Sequence, residues 1–194
     1  MSRTANKIRN TKETKISVEL TVDGDGISQG VTGIGFFDHM LDLFIKHSNM
    51  SLKMDVDGDL QVDAHHTVED LGIVLGDALK DALGDKKGIE RYGHIILPMD
   101  EVLVLLALDL SGRPFLAFDV DIPYETIGNF ETELVEEFLR AFVMASGMNL
   151  HIKLLSGKNT HHIIEGIFKA LARAIKMAVK VDDRNGIPST KGSI

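Results

Sequence analysis

The sequence predicts an α+β fold built from two copies of one unit. Three observations lead there. The motif Ala64-His65-His66-Thr67-Val68-Glu69-Asp70 returns, at an offset of 96 residues, as Thr160-His161-His162-Ile163-Ile164-Glu165-Gly166. Segments with strand and helix periodicity alternate on both sides of it. The apolar positions also superpose. Leu71, Leu75 and Ala78 fall opposite Ile167, Leu171 and Ala174 at 96, and Met50 and Leu52 opposite Met148 and Leu150 at 98. Self-similarity of this kind marks a duplicated unit. It divides the chain into a first half over 1–87, a second over 88–180 and a tail over 181–194.

The elements follow in order. Ile16, Val18, Leu20 and Val22 alternate with polar residues, which predicts a half-buried strand. After the turn Asp23-Gly24-Asp25-Gly26, Ser28 to Ile34 is expected to return as its hairpin partner. Phe37, Met40, Leu41, Phe44 and Ile45 have helical spacing, with His39 near the start. Ser51 to Val56 is a strand, and the first His-His motif then opens a helix that stops at Gly84. In the second half Val102 to Leu110 is nearly all apolar and is expected to be a strand buried on both faces, with a buried helix the alternative that periodicity leaves open. Ser111-Gly112-Arg113-Pro114 turns the chain into a returning strand over Phe115 to Val120. Leu134 to Phe142 is a helix, Asn149 to Leu155 a strand, and the second motif opens the last helix. The polar, Gly/Pro/Ser-containing tail reads, by composition alone, as a frayed terminus.

Composition limits the function. With 194 residues and 44% hydrophobic content the chain can bury a substantial core. It has no run of eighteen apolar residues, and Met1 to Lys12 is polar, so no membrane span or secretory signal is expected and the cytoplasm is the expected compartment. The absence of cysteine removes disulfides, thiolate metal sites and a thiol nucleophile. A net charge of −8 argues against nucleic-acid or anionic-membrane partners, so a bound phosphate must be held by a few placed basic residues.

The two motifs carry the chemistry. Each begins a helix, so histidine at i and glutamate at i+4 share a face and can grip one cation, as His65 with Glu69 and His161 with Glu165. His66 and His162 are turned roughly 100° away and need a different metal. The economical arrangement is two pseudo-symmetric sites, each taking a pair from one repeat and the lone histidine from the other. Alignment of the halves puts His39 in the slot held by Glu137, which gives His39, His66, His161 and Glu165 for one site and His65, Glu69, Glu137 and His162 for the other. Imidazole and carboxylate suit manganese, iron or zinc. A two-metal hydrolase, with metals about 3.5–4 Å apart, and a metal-storage shell are the rival readings. Storage favours Glu-x-x-His ligands in a helix bundle, which the strand-rich pattern opposes.

Gly35-Phe36-Phe37-Asp38-His39-Met40-Leu41, the His-His-Thr-Val-Glu-Asp of the first motif, Leu110-Ser111-Gly112-Arg113-Pro114, Gly157 to Glu165 and Pro188-Ser189-Thr190-Lys191-Gly192 together resemble the imidazoleglycerol-phosphate dehydratases. The resemblance runs from about Arg9 to the C-terminus. It implies removal of water from imidazole glycerol phosphate to give imidazole acetol phosphate, in histidine biosynthesis. It also implies half-domains that are each a roughly four-stranded sheet with two helices, the sheets sandwiching the helices. Two manganese ions (Mn2+) per active site and a homo-oligomer, a 24-subunit shell with sites completed across subunit contacts, are implied as well. Carried onto matching positions, Glu13 becomes the acid/base, and His66 and Glu165 join it as catalytic candidates. Arg91, Arg113, Lys169, Ser189 and Lys191 become the phosphate cradle, and the tail becomes an active-site element. Glu137 stands where some members have histidine.

The chemistry needs the metals. The hydrogen on C2 of the substrate is not beside a carbonyl, so its direct removal would leave an unstabilised carbanion. A ring held by metals on both nitrogens is an imidazolate, able to expel the neighbouring hydroxyl through a diazafulvene-like intermediate. Loss of the C2 proton to Glu13 then gives an enol that becomes the ketone.

Overall fold

The computed structural model describes residues 2–182, 186–190 and 192. Its first half runs β1 (Thr4–Asn10), β2 (Thr14–Thr21), β3 (Ser28–Gln29), α1 (Gly35–Ser48), β4 (Ser51–Gly58) and α2 (His65–Leu83). The second runs β5 (Tyr92–Met99), β6 (Val102–Asp109), β7 (Phe115–Asp119), the short pair β8 (Thr126–Ile127) and β9 (Phe130–Glu131), α3 (Leu134–Ser146), β10 (Asn149–Ser156) and α4 (Thr160–Ala178). The two main sheets have the orders β1-β2-β4-β3 and β5-β6-β10-β7. Element by element these are one topology, so the duplication read from the motifs is a duplication of fold.

The sheets turn their apolar faces inward. Ile16, Val18 and Leu20 of β2 and Leu52 and Met54 of β4 are buried, as are Val104, Leu106, Leu150 and Ile152 of the second sheet. Between the sheets α2 packs on β1 and β2, α4 packs on β5 and β6, and the helices meet as α1 on α4 and α2 on α3. Phe37, Phe138 and Phe168 fill the junction of α1, α3 and α4, with Phe138 and Phe168 stacked at 5.5 Å and Phe37 edge-on to Phe138 at 5.2 Å. The α2–α3 approach is close enough to require glycine. A Cβ at Gly76 would lie 2.6 Å from the Phe142 carbonyl oxygen, and one at Gly72 would lie 2.9 Å from that of Phe138. These two helix-interior glycines cost helix propensity and gain a backbone-to-backbone fit.

Several expectations are corrected. Ser28 to Ile34 does not return as a hairpin: only Ser28–Gln29 is strand, and it pairs parallel with β4. Gly30 and Gly33 take positive φ, and Asp38 in the first turn of α1 holds the loop by accepting from Thr32 N–H and Oγ1–H, each at 2.7 Å. β7 likewise pairs parallel with β10 rather than returning on β6, the same crossover in the second copy. β1 and β5 were not expected, because their alternation is weak: in β1 only Ala5 is buried, and in β5 only Gly93. β6 is buried on one face only, through Val102, Val104, Leu106 and Leu108. Among the described residues nothing covers Leu103 and Leu105 on the other face as fully. No helix among the described residues is long and apolar enough to cross a membrane.

Candidate functional site

Both His-His motifs begin helices, and local polar contacts fix where those helices start. Asn159 caps α4 by accepting from His162 N–H at 3.1 Å. At α2, Asp63 accepts from His65 N–H at 2.8 Å. One turn further along, His161 Nε2 lies 3.2 Å from Glu165 Oε2, and His65 Nε2 lies 3.8 Å from Glu69 Oε2. The i,i+4 pairs therefore form as their spacing requires.

α1, packed on α4, brings a third group to the second pair. His39 Nε2 is 3.8 Å from Glu165 Oε2. One ligand atom from each of His39, His161 and Glu165 lies within 4.8 Å of the others, and among the described residues no other trio of His, Asp or Glu gathers as closely. Glu165 is buried. Burial pushes its carboxyl up, but Lys169, with Nζ 2.6 Å from Oε1, and His161 outweigh burial and leave it below the usual range. It is thus an anion with one oxygen on Lys169 and the other turned to two imidazoles. Two imidazole nitrogens and a carboxylate oxygen are a donor set that a borderline divalent cation fits.

The equivalent place in the first half is wider. His65 and Glu137 line one cavity of about 460 Å³, shared with Glu136 and Asp121. α3 delivers Glu137 there as α1 delivers His39 to α4, in line with the aligned slots.

The adjacent histidines point elsewhere. Ring planes of His65 and His66 differ by 85°, and those of His161 and His162 by 81°. His66 Nδ1 lies 3.0 Å from Asp59 Oδ2, and its Nε2 lies 3.9 Å from Glu13 Oε1. His162 Nδ1 lies 2.8 Å from Glu101 Oε2, and its Nε2 lies 3.7 Å from Asp100 Oδ2. The carboxylates raise both imidazoles: Asp59 acts on His66, and Glu101 on His162. In return His162 holds Glu101 down at about 2. Within one chain, then, neither lone histidine meets a pair, and each four-residue set is divided between two places.

Of the phosphate candidates, Arg91 takes a positive φ of 69° and donates to both oxygens of Asp109, at 2.6 and 3.0 Å, and to the Pro188 carbonyl at 2.8 Å. The chain is thereby tied to the tail one residue before Ser189. Lys169 is the partner of Glu165, and Arg113 is exposed on the turn before β7. Lys191 lies outside the described residues. Sequence reasoning missed Asp59, Glu101 and Asp109 because each meets its partner through tertiary contact, which periodicity does not register. For Glu101 a signal existed, since it stands where the duplicated hairpin puts a counterpart of Glu13.

Residues 32–175 match the imidazoleglycerol-phosphate dehydratase family. The chain belongs to that family. It is 58% identical over 193 residues to the imidazoleglycerol-phosphate dehydratase of Desulforamulus reducens, covering 99% of this chain and 98% of the relative. With that of Acetivibrio thermocellus it shares 56% identity over 195 residues, covering both fully. The crystal structure of the Staphylococcus aureus imidazoleglycerol-phosphate dehydratase superposes with a TM-score of 0.84 at 42% identity, over 92% of this chain and 99% of that one. The Pyrococcus furiosus structure gives 0.83 at 37%, over 97% and 100%. The imidazoleglycerol-phosphate dehydratase fold of two four-stranded sheets and four helices is therefore the fold of this chain. The family's activity, a hydro-lyase step of histidine biosynthesis, is its activity.

Proposed function

We propose that the chain converts imidazole glycerol phosphate to imidazole acetol phosphate with two divalent cations per active site, manganese by preference, in a homo-oligomer that completes each site. The convergence of His39, His161 and Glu165, with the lone histidines directed away from it, is the observation that carries this reading. His39, His161 and Glu165 would hold one cation and His65, Glu69 and Glu137 the other. His66 and His162 would come from neighbouring copies. The 24-subunit shell expected from the resemblance is one assembly able to supply them.

Cations held by these residues would supply Lewis acidity to the azole, favouring its anion, the form able to expel the hydroxyl on the carbon beside it. Glu13, about half exposed and 3.9 Å from His66, is suited to take the C2 proton once the hydroxyl has left. Removal of that proton leaves the enol, which becomes the ketone; the expelled hydroxide and the C2 proton leave as water, and the proton the ring lost on becoming an anion returns to it. Acid/base help of this kind is worth ~10²–10⁴-fold. Arg91, Arg113, Lys169, Ser189 and Lys191 would hold the phosphate, Arg113 by a bidentate contact. In a chain of net charge −8 a local cradle is the way to bind an anion.

Assembly has a surface suited to it. On the outer face of the second sheet, cross-strand partners Ile96 and Leu105, and Pro98 and Leu103, make an apolar patch. The corresponding face of the first sheet carries Lys15, Ser17 and Glu19 beside Lys53, Asp55 and Asp57. A duplicated fold with one wet and one apolar outer face is fit to bury the latter against another copy.

The test is to strip the protein of metal, add imidazole glycerol phosphate, then add manganese, following the enol or ketone in the ultraviolet, a window kept clear by the absence of tryptophan. Product should form only after manganese, and Glu13→Gln should slow it by ~10²-fold or more. Undiminished turnover by metal-free protein, or by Glu13→Gln, overturns the respective assignment.

A further inference from the structure

Duplication leads one to expect equivalent residues at equivalent work, and at one pair the two halves diverge. In the first sheet Thr4 pairs with Thr21, and in the second Tyr92 pairs with Asp109, so the β1–β2 hairpin maps onto the β5–β6 hairpin at an offset of 88 residues. Glu13, immediately before β2, therefore falls on Glu101, immediately before β6. The histidines they face correspond too, since His66 and His162 each stand second in their His-His pair.

Their contacts do not correspond. Glu101 meets His162 Nδ1 at 2.8 Å and uses its other oxygen to accept from Asn159 N–H at 3.0 Å, which fixes the carboxylate at the start of α4. Glu13 instead stands 3.9 Å from the opposite nitrogen, Nε2, of His66. The Nδ1 of His66 is occupied by Asp59 at 3.0 Å, and Asp59 is in turn anchored by its N–H on the Glu13 carbonyl at 3.1 Å. A register shift in β10 between Leu154 and Ser156 carries the offset between β4 and β10 from 98 to 99, so the position opposite Asp59 is Lys158 and the second half has no carboxylate there.

We propose that Glu101 and Asp59 are positioning residues, each accepting the Nδ1–H of one lone histidine so that Nε2 is presented outward, and that Asp59 has relieved Glu13 of the post Glu101 still holds. A single Nδ1 takes one carboxylate, and a carboxylate committed to it is not available as a base. A ligating histidine whose second nitrogen rests on a carboxylate is fixed in tautomer and ring orientation and is a better donor. The asymmetry between the halves thus frees one of two equivalent glutamates to face the substrate.

The inference rests on the cation reading above, and its test needs no turnover. Metal-free full-length protein is titrated with manganese by calorimetry, without substrate. The wild type should take two ions per chain. Glu101→Leu and Asp59→Leu should each weaken one of the two by ~10–100-fold. Glu101→Gln, which keeps an acceptor oxygen, should recover part of that loss, and this separates orientation from damage to the fold. Glu13→Gln, at the equivalent position, should leave both affinities unchanged. Wild-type affinity in Glu101→Leu, or an equal loss in Glu13→Gln, overturns the division of labour. If the wild type itself takes no manganese, the cation reading falls first and takes this inference with it.

Discussion

His39 of α1 and Glu165 of α4 face each other with Nε2 and Oε2 3.8 Å apart, although they come from different halves of the duplicated chain. Packing alone brings them there: Phe37, two residues before His39, and Phe168, three after Glu165, meet edge-on in the core at 6.5 Å. The position of the candidate cation site is therefore determined by the helix interface beneath it.

Glu165→Gln should separate that site from the fold. Glutamine preserves the shape but removes the charge shared by His39, His161 and Lys169, so one of the two proposed cation sites should empty. Metal analysis after dialysis should give about one manganese per chain instead of two, with turnover down ~10²-fold or more from the loss of one Lewis acid. Two ions retained per chain would remove Glu165 from the ligand set.

Acid stability should report a contact far from the chemistry. Arg3 donates to Asp23 through Nε at 2.9 Å and Nη2 at 2.6 Å, and to the Val179 carbonyl at 2.8 Å, tying β1 to the end of α4. Arg3 holds the Asp23 carboxyl below its ordinary 3.8. A depressed carboxylate contributes stability that is fully present above the unfolded-state value and is lost as pH falls through the folded one. The side chain is about half exposed, so the contribution is small, ~0.2–1 kcal/mol. Asp23→Asn should melt slightly below wild type at neutral pH, and the gap should close below about pH 3.8. A gap independent of pH would mean that the pair acts by packing and not by charge.

What the sequence disclosed was local and periodic. β2, α1, β4, α2, α3, β10 and α4 follow from alternation or helical spacing, and both His-x3-Glu pairs follow from one turn of helix. The hairpin expected over Ser28 to Ile34 failed because positive-φ glycines and the hold of Asp38 on Thr32 decide that segment, and both act against its apolar alternation. Asp59 left no mark in the periodicity, and Glu101 only its place opposite Glu13, for a different reason: the histidines they hold lie beyond a turn or across the sheet. β6 is instructive in the other direction. Its run of Val, Leu and Ala predicts burial on two faces, and the chain alone covers one.

That uncovered face gives the last prediction. Leu105 lies opposite Ile96 on β5 and Lys153 on β10, outward on the second sheet, where a single chain leaves it half buried. If another copy covers it, Leu105→Glu would put a carboxylate into an apolar contact beside a lysine, Lys153, already held by Asp119, at a cost of several kcal/mol; about 4 kcal/mol corresponds to a roughly thousand-fold weaker association. The fold of the chain should persist, because the substituted side chain points away from Val104 and Leu106. Light scattering should then show small, folded species in place of the assembly. Turnover should fall with the assembly, because His66 and His162 would no longer reach a neighbour's pairs. Native mass with native activity in Leu105→Glu would place the contact on another surface. Native activity in a dissociated chain would be more damaging, since it would require one chain to close both sites unaided.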